Sequence, residues 1–215
     1  MSKCMDIAEN RLEWLSERKK GIGASEASAV LGLSPWLSNT ELWELKTGRR
    51  EPKDLSGNTA VDIGNRTEDA MRVMFLAEHP EYTLEYNQHG IIYQDGARWL
   101  SATLDGELIC EDGKRGILEI KTSTPQGKAA WDKWRDKIPQ NYYIQILWQF
   151  LATGYDFAYL YAKLIRTNGD SELRSYRFDR ADCEEDMKYV YEKGKEFWEY
   201  NVLQDVRPST ILPSL

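Results

Sequence analysis

Asp105, Glu119 and Lys121 are the residues whose types and spacing could do chemistry. In Gly116-Ile-Leu-Glu-Ile-Lys-Thr122, charged side chains alternate with apolar ones. Residues two apart on a strand share a face, so Glu119 and Lys121 point one way and Leu118 and Ile120 the other. Glu111-Asp-Gly-Lys114 reads as a turn before that strand. With the turn centred near Asp112-Gly113, antiparallel pairing sets Asp105 opposite roughly residues 119 to 121. Two carboxylates crowded in a partly buried site repel one another unless a cation or a proton joins them. Oxygen ligands of this kind favour Mg²⁺ or Mn²⁺ over zinc. The residues by themselves leave a second reading open, a cross-strand ion pair on a solvated sheet face. Glu-x-Lys and Asp-Gly are each common. The weight lies on their combination, to which Glu68 adds a carboxylate from an otherwise apolar helix face.

The elements that must position these groups follow from hydrophobic period and from breakers. Residues 7–19 read as a helix with Ile7, Leu12 and Leu15 apolar and Trp14 beside them. Gly21-Ile-Gly23 breaks it, and Ser25 would cap a short helix through Val30 that Gly32 ends. Asn39 or Thr40 would cap a helix over 41–47, stopped by Gly48. Residues 51–58, polar with Pro and Gly, are expected to form a mobile loop. A longer helix over 59–78 ends before Pro80, its inward stripe being Ala60, Gly64, Glu68, Met71 and Phe75. Period two then marks strands over 86–93, 99–105 and 116–122. A helix over 141–153 stops at Gly154, a strand covers 157–164, Asn168-Gly169 turns into 173–178, and an amphipathic helix over 181–203 closes the chain. The layout is α+β, a mostly antiparallel central mixed sheet flanked by helices. A single domain over 1–215 is expected, with a helical part to about 80, a sheet core over about 83–178 and a last helix over about 181–203.

Composition narrows the chemistry. The chain has 215 residues, 41% hydrophobic and 12% aromatic, enough for a sizeable core. No apolar run approaches the ~20 residues that cross a bilayer, and the first residues carry charges where a secretory signal is apolar. A soluble, cytoplasmic protein without a membrane partner is expected. The cysteines, Cys4, Cys110 and Cys183, are scattered and read as reduced thiols. His79 and His89 have no second ligand at metal spacing, which argues against a zinc site and against a Ser-His-Asp triad. The net charge of −7 argues against a general nucleic-acid coat. Arg18-Lys19-Lys20 and Arg49-Arg50 nevertheless concentrate positive charge locally.

Taken together the pattern resembles the PD-(D/E)xK nuclease superfamily, with Asp105 as first acid and Glu119-x-Lys121 as the E-x-K. The superfamily's leading proline is not kept, since Leu104 precedes Asp105. More closely, residues from about Trp14 to Gly154 resemble the family of phage lambda exonuclease and YqaJ-type viral recombinase nucleases. Trp14-x-x-x-Arg18 followed by Gly21-Ile-Gly-Ala-Ser25-Glu26, Gly64-x-x-x-Glu68, Asp105-Gly106, Leu118-Glu-Ile-Lys121 and Tyr142-x-x-Gln145 are the blocks that match in order.

The resemblance implies a restriction-endonuclease-like core and a set of roles. Asp105 and Glu119 would ligate Mg²⁺ with the Ile120 carbonyl as a further donor. A second Mg²⁺ would sit beside Asp105, and Mn²⁺ could substitute. Lys121 would position or deprotonate the attacking water, or stabilise the charged transition state. Glu68 would hold a water or ligand in place, and Gln145 would contact the scissile region. Arg18 and Ser25 would hold a terminal 5′-phosphate, with Tyr142 adding a DNA contact. On sequence alone each has a plainer reading. Glu68 could be a surface glutamate, Arg18 a solvated helix end, Gln145 an ordinary amphipathic-helix residue, and Tyr143 could take the place of Tyr142. Trp131-x-x-Trp134 could stack on bases, but helix-spaced tryptophans are more often core.

The activity implied is a Mg²⁺-dependent 5′-to-3′ exonuclease that resects linear double-stranded DNA to leave 3′ overhangs for recombination. A ring-shaped homotrimer and a single-strand annealing protein as partner are implied with it. An endonuclease or flap nuclease on the same core, or an inactive DNA-end-binding module, are the alternatives. The intact Asp105, Glu119 and Lys121 set argues against the last. Residues after Tyr155 carry no functional signal.

Overall fold

In the computed structural model, residues 4–52 and 59–211 are described. The expected loop over 51–58 and the side chain of Ala60 lie largely or wholly outside them. The chain runs β1 (Cys4–Ile7), α1 (Arg11–Lys19), β2 (Ile22–Gly23), a 3₁₀ turn (Ala24–Glu26), α2 (Ala27–Val30), α3 (Asn39–Lys46) and α4 (Thr59–Glu78). Strands β3 (Tyr82–Glu85), β4 (Gly90–Gln94), β5 (Ala97–Ala102), β6 (Gly106–Cys110) and β7 (Arg115–Ser123) follow. Then come α5 (Gly127–Asp132), α6 (Gln140–Thr153), β8 (Phe157–Ile165), β9 (Ser171–Asp179), a second 3₁₀ turn, α7 (Glu184–Glu196) and a π-helical turn (Phe197–Val202). No helix among the described residues is long and apolar enough to cross a membrane.

The α+β class is as read, but the expected central sheet is two sheets, ordered β1-β4-β5-β2 and β3-β6-β7-β8-β9. Each is mixed: β2–β5 and β7–β8 are parallel, and the other pairs are antiparallel. The parallel β7–β8 pair needs a crossover, and α5 and α6 supply it.

The five-stranded sheet is covered on both faces. Met71 and Phe75 of α4 pack with Leu118, Ile120, Tyr159 and Tyr161 on one side. On the other, Ile117, Ala158, Leu160 and Ala162 join Ile144, Leu147 and Trp148 of α6, together with Leu100 and Ala102 of the smaller sheet. Helix α6 is therefore apolar nearly all round, as a helix sandwiched between sheets must be. Gly154 at φ 68° ends it, its N–H returning to the Phe150 carbonyl at 2.8 Å.

Several boundaries differ from the sequence expectation. Ile7 belongs to β1, and Asn10, whose Oδ1 accepts from the N–H of Leu12 and Glu13, starts the helix. That helix buries no residue, and Leu12 is 80% exposed. Ser38, in a reciprocal cap with Glu41, starts α3 instead of Asn39 or Thr40. Those two are buried and bond to residues 209–211. Of the expected strand over 86–93 only residues 90–93 are extended, because a local bond from Gly90 N–H to Asn87 O makes a turn. The strand expected over 99–105 ends at Ala102, and Gly106–Cys110 is a separate strand.

Candidate active site

Glu119 sits on the face of β7 that looks toward α6 and is 2% exposed. Its Oε1 accepts from Gln145 Nε2 at 2.6 Å and pairs with Lys121 Nζ at 2.5 Å. Its Oε2 accepts from Gln149 Nε2. A buried carboxylate without such donors would cost several kcal/mol. Gln149 is itself fully buried, and its Oε1 finds no partner among the described residues. Lys121 is partly exposed, with its ammonium 5.3 Å from the centre of the Tyr142 ring.

Asp105 lies in the bend between β5 and β6. The pairing Gly106↔Leu118 places it where the hairpin register predicts, and its Oδ2 accepts the Ile120 N–H at 2.8 Å. The buried Arg72 guanidinium donates to the Asp105 carbonyl at 3.1 Å and stacks on the Tyr86 ring at 3.7 Å. Helix α4 reaches the end of β7 through Thr67 and Thr122, whose hydroxyls are 3.4 Å apart. Glu68, next along and half-buried, feels the charges of Glu119 and Lys121.

The electrostatics are those of crowded acids. Burial, then repulsion from Glu119, pushes the Asp105 carboxyl up to about 8. Burial also raises Glu68, with Glu119 adding to the effect and Arg72 opposing it. Burial works against the Lys121 charge, but Glu119 and Asp105 outweigh it and hold the ammonium protonated beyond its usual range. Among the described residues no three Asp, Glu, His or Cys side chains form a ready-made cation cage. The donors present still fit a hard cation: two carboxylates whose repulsion a positive ion relieves, all oxygen, and too few to exclude water or phosphate oxygens.

A second group of expected residues assembles around the Gly21-Ile-Gly23 break. Arg18 Nη2 donates to Ser25 Oγ at 3.0 Å, and its guanidinium lies 4.6 Å from the Trp14 ring centre. A side chain at Gly21 would strike the Trp99 carbonyl at 2.6 Å, and one at Gly23 would crowd Arg18 Nη2 at 3.3 Å. Ser25 is not the cap. It stands inside the 3₁₀ turn, where Glu26 Oε2 accepts the Gly23 N–H at 2.8 Å and pairs with the buried Lys46. Strand β2 joins this group to the first, since Gly23 pairs with Ser101 and Trp14 Nε1 donates to Thr103 Oγ1 at 3.2 Å, two residues before Asp105. Helix α6 spans both, packing on the 3₁₀ turn as well as carrying Gln145.

Asp105, Glu119, Lys121, Gln145 and Tyr142 thus come together, Glu68 borders them, and Arg18 and Ser25 pair separately. Ile120 gives its N–H to Asp105 and buries its side chain against α4. Tyr143 points instead to Asp186, at 2.8 Å, which separates the two tyrosines. Trp134 is core, and Trp131 packs beneath Arg166 and Arg174. Cys110 and Cys183 are free thiols. Sequence reasoning missed Arg72 and Gln149. A glutamine four residues after Gln145, on an apolar helix, was a usable signal for the latter.

Residues 13–156 match the YqaJ-like viral recombinase domain. The uncharacterized protein YqaJ of Bacillus subtilis (strain 168) is 28% identical over 213 residues. The match covers 93% of this chain but spans only 59% of that relative's length. Among solved structures, an alkaline exonuclease from Laribacter hongkongensis superposes with a TM-score of 0.68 at 17% identity, covering 91% of this chain and 94% of that one. A phage-related exonuclease from Haemophilus somnus 129PT gives 0.53 at 12% identity, covering 86% and 96%. These two likenesses speak to the fold.

Proposed function

The chain belongs to the YqaJ-like viral recombinase domain family, and on that premise we propose that it is a divalent-metal-dependent deoxyribonuclease. It degrades one strand of linear double-stranded DNA from 5′-phosphorylated ends, 5′ to 3′, leaving 3′ overhangs for recombination. The observation that carries the reading is the buried Glu119, held by Gln145 and Gln149 and paired with Lys121, beside Asp105. An ion pair meant only for a solvated sheet face has no need of two buried glutamines.

Asp105, Glu119 and the Ile120 carbonyl would hold Mg²⁺, one or two ions, with Mn²⁺ able to replace it. Such a cation supplies positive charge at the phosphate oxygens and makes water a better nucleophile. Lys121, whose ammonium pairs with Glu119, would position or deprotonate the attacking water, or stabilise the charge of the transition state. Glu68, whose carboxyl burial raises above its ordinary range, borders the site and would hold a water or a ligand in place. Gln145 and Gln149 keep Glu119 from rotating. Arg18 offers a planar pair of donors and Ser25 a hydroxyl to a terminal 5′-phosphate. A homotrimeric ring around DNA and a single-strand annealing protein as partner complete the proposal, on the strength of the family resemblance.

The test is nucleotide release from linear duplexes carrying a 5′-phosphate or a 5′-hydroxyl, beside a closed circular plasmid, with Mg²⁺ and with EDTA. Degradation of the phosphorylated linear duplex, lost with EDTA and in Lys121→Ala, is the expected result. Arg18→Ala should then erase the preference for the 5′-phosphate. Cutting of the closed circle would replace the exonuclease by an endonuclease, and no hydrolysis by folded, metal-supplied protein would overturn the reading.

A further inference from the structure

Trp36 takes no part in the chemistry described so far, yet it stands one ring away from it. Its indole is 67% exposed. Exposure of a single large side chain is ordinary on a protein surface, but two further observations set this one apart. The first is the loop that carries it. The N–H groups of Trp36 and Leu37 both donate to Ser34 Oγ, at 3.3 and 3.2 Å, and Leu33 and Leu37 pack against the large core. Pro35 restricts the backbone between them, and Ser38 begins the capped helix α3. The indole is therefore displayed by a backbone fixed on both sides. The second is where the ring is held. Its centre is 6.2 Å from that of Tyr142, tilted by 40°, so the two rings are not stacked on one another. Tyr142 in turn meets the Lys121 ammonium at 5.3 Å and the buried Trp134 ring at 5.5 Å.

We propose that Trp36 is the platform on which a nucleobase of the substrate strand stacks, close to the phosphate that Lys121 engages. The inference rests on the nuclease reading and adds a base contact to a site otherwise built for phosphate. Every nucleobase has a π-face, so an aromatic platform grips a strand without reading its sequence, as an enzyme that moves along DNA requires. The segment that carries Trp134 also presents Lys133 and Lys137 to solvent, and their charge suits the backbone of a strand laid across Tyr142 and Trp36.

A cycle between the side chain and the base tests this. In the Lys121→Ala background, expected to bind without cutting, affinity is measured for 5′-phosphorylated duplexes with one abasic position at a time near the 5′ end. Trp36→Ala should weaken binding of intact DNA about tenfold. One abasic position should cost the protein with Trp36 about the same and cost Trp36→Ala nothing, while Trp36→Phe keeps most of the affinity. Trp36 lies outside the core, so circular dichroism of Trp36→Ala should match that of its parent. Independent losses at every position, or no loss, would overturn the proposal. So would a loss that follows a change in sedimentation, because Trp36 would then serve contacts between copies of the chain. If the unmodified chain cuts DNA and the cycle is null, the platform alone is wrong. If the chain neither binds nor cuts DNA, the nuclease reading falls and takes the platform with it.

Discussion

The two faces of β7 are made from alternate residues of one nine-residue strand, yet they answer to different constraints. Leu118 and Ile120 turn toward α4 and meet Met71, Phe75 and the ring of Tyr161, with no polar group of their own to satisfy. Glu119 and Lys121 turn toward α6 and are held by named donors and acceptors at fixed distances. The apolar face is tolerant in shape as long as volume is kept. The polar face is not, since each partner removed leaves the buried Glu119 carboxylate, or the Lys121 ammonium beside it, short of a counterpart. Folding asks for the apolar packing of Leu118 and Ile120 and, on the other face, of Ile117. The polar pair is affordable because that packing, and the core around α6, supply the stability.

The sharpest way to break this contrast is to change one residue on each face. Glu119→Gln should lower hydrolysis by about a thousandfold, with little change in secondary structure. Leu118→Ala should cost about 2–5 kcal/mol of stability by denaturant unfolding, while the folded fraction keeps its rate. Equal loss of activity in both would mean that β7 has one role and not two. A finer probe is Gln149→Ala, which leaves every expected ligand in place and removes only a donor to Glu119. A reduction of about 10- to 100-fold in rate or metal affinity is expected, and a rate unchanged from the parent would reduce Gln149 to packing.

The smallest effect expected is a slope with pH. In metal-free protein the Asp105 carboxyl is raised to about 8 by burial and by Glu119. The folded state then holds a proton that the unfolded state has already released above the ordinary aspartate range, near 3.9. Stability should therefore fall as pH rises from about 4 to about 8, and level off above. Asp105→Asn should flatten that part of the curve, and unfolding midpoints across this window would show it. A profile of Asp105→Asn parallel to the parent's would assign the slope to other groups.

Period two made the polar face of β7 legible, and a single turn signal at Asp112-Gly113 brought Asp105 to it. Both rest on local geometry that neighbours do not alter. The α6 boundary was legible for the same reason, because Gly154 can adopt a backbone that other residues resist. What the pattern did not reveal was which apolar groups find a partner. Leu12 and Leu15 have helical spacing, yet α1 lies on the surface. Residues 86–93 are rich in β-formers, yet Asn87 to Gly90 close a turn among them. The division into two sheets depends on pairings between distant segments, such as Cys4 with Tyr93, that no short window of sequence contains. Arg72 escaped notice because a helix arginine looks the same whether it faces water or the Asp105 carbonyl.

Helix α6 carries Tyr142 toward Lys121, Gln145 and Gln149 toward Glu119, and its flank against the turn that holds Ser25. Those tasks share one rod, so they share one phase. A slip of a single residue would rotate every side chain by about 100° and withdraw all of these contacts together. An insertion or deletion in α6 would therefore remove all of these contacts together, while a point change removes one of them. Drift in this molecule should accordingly accumulate in exposed connectors away from these contacts and leave the length of α6 untouched.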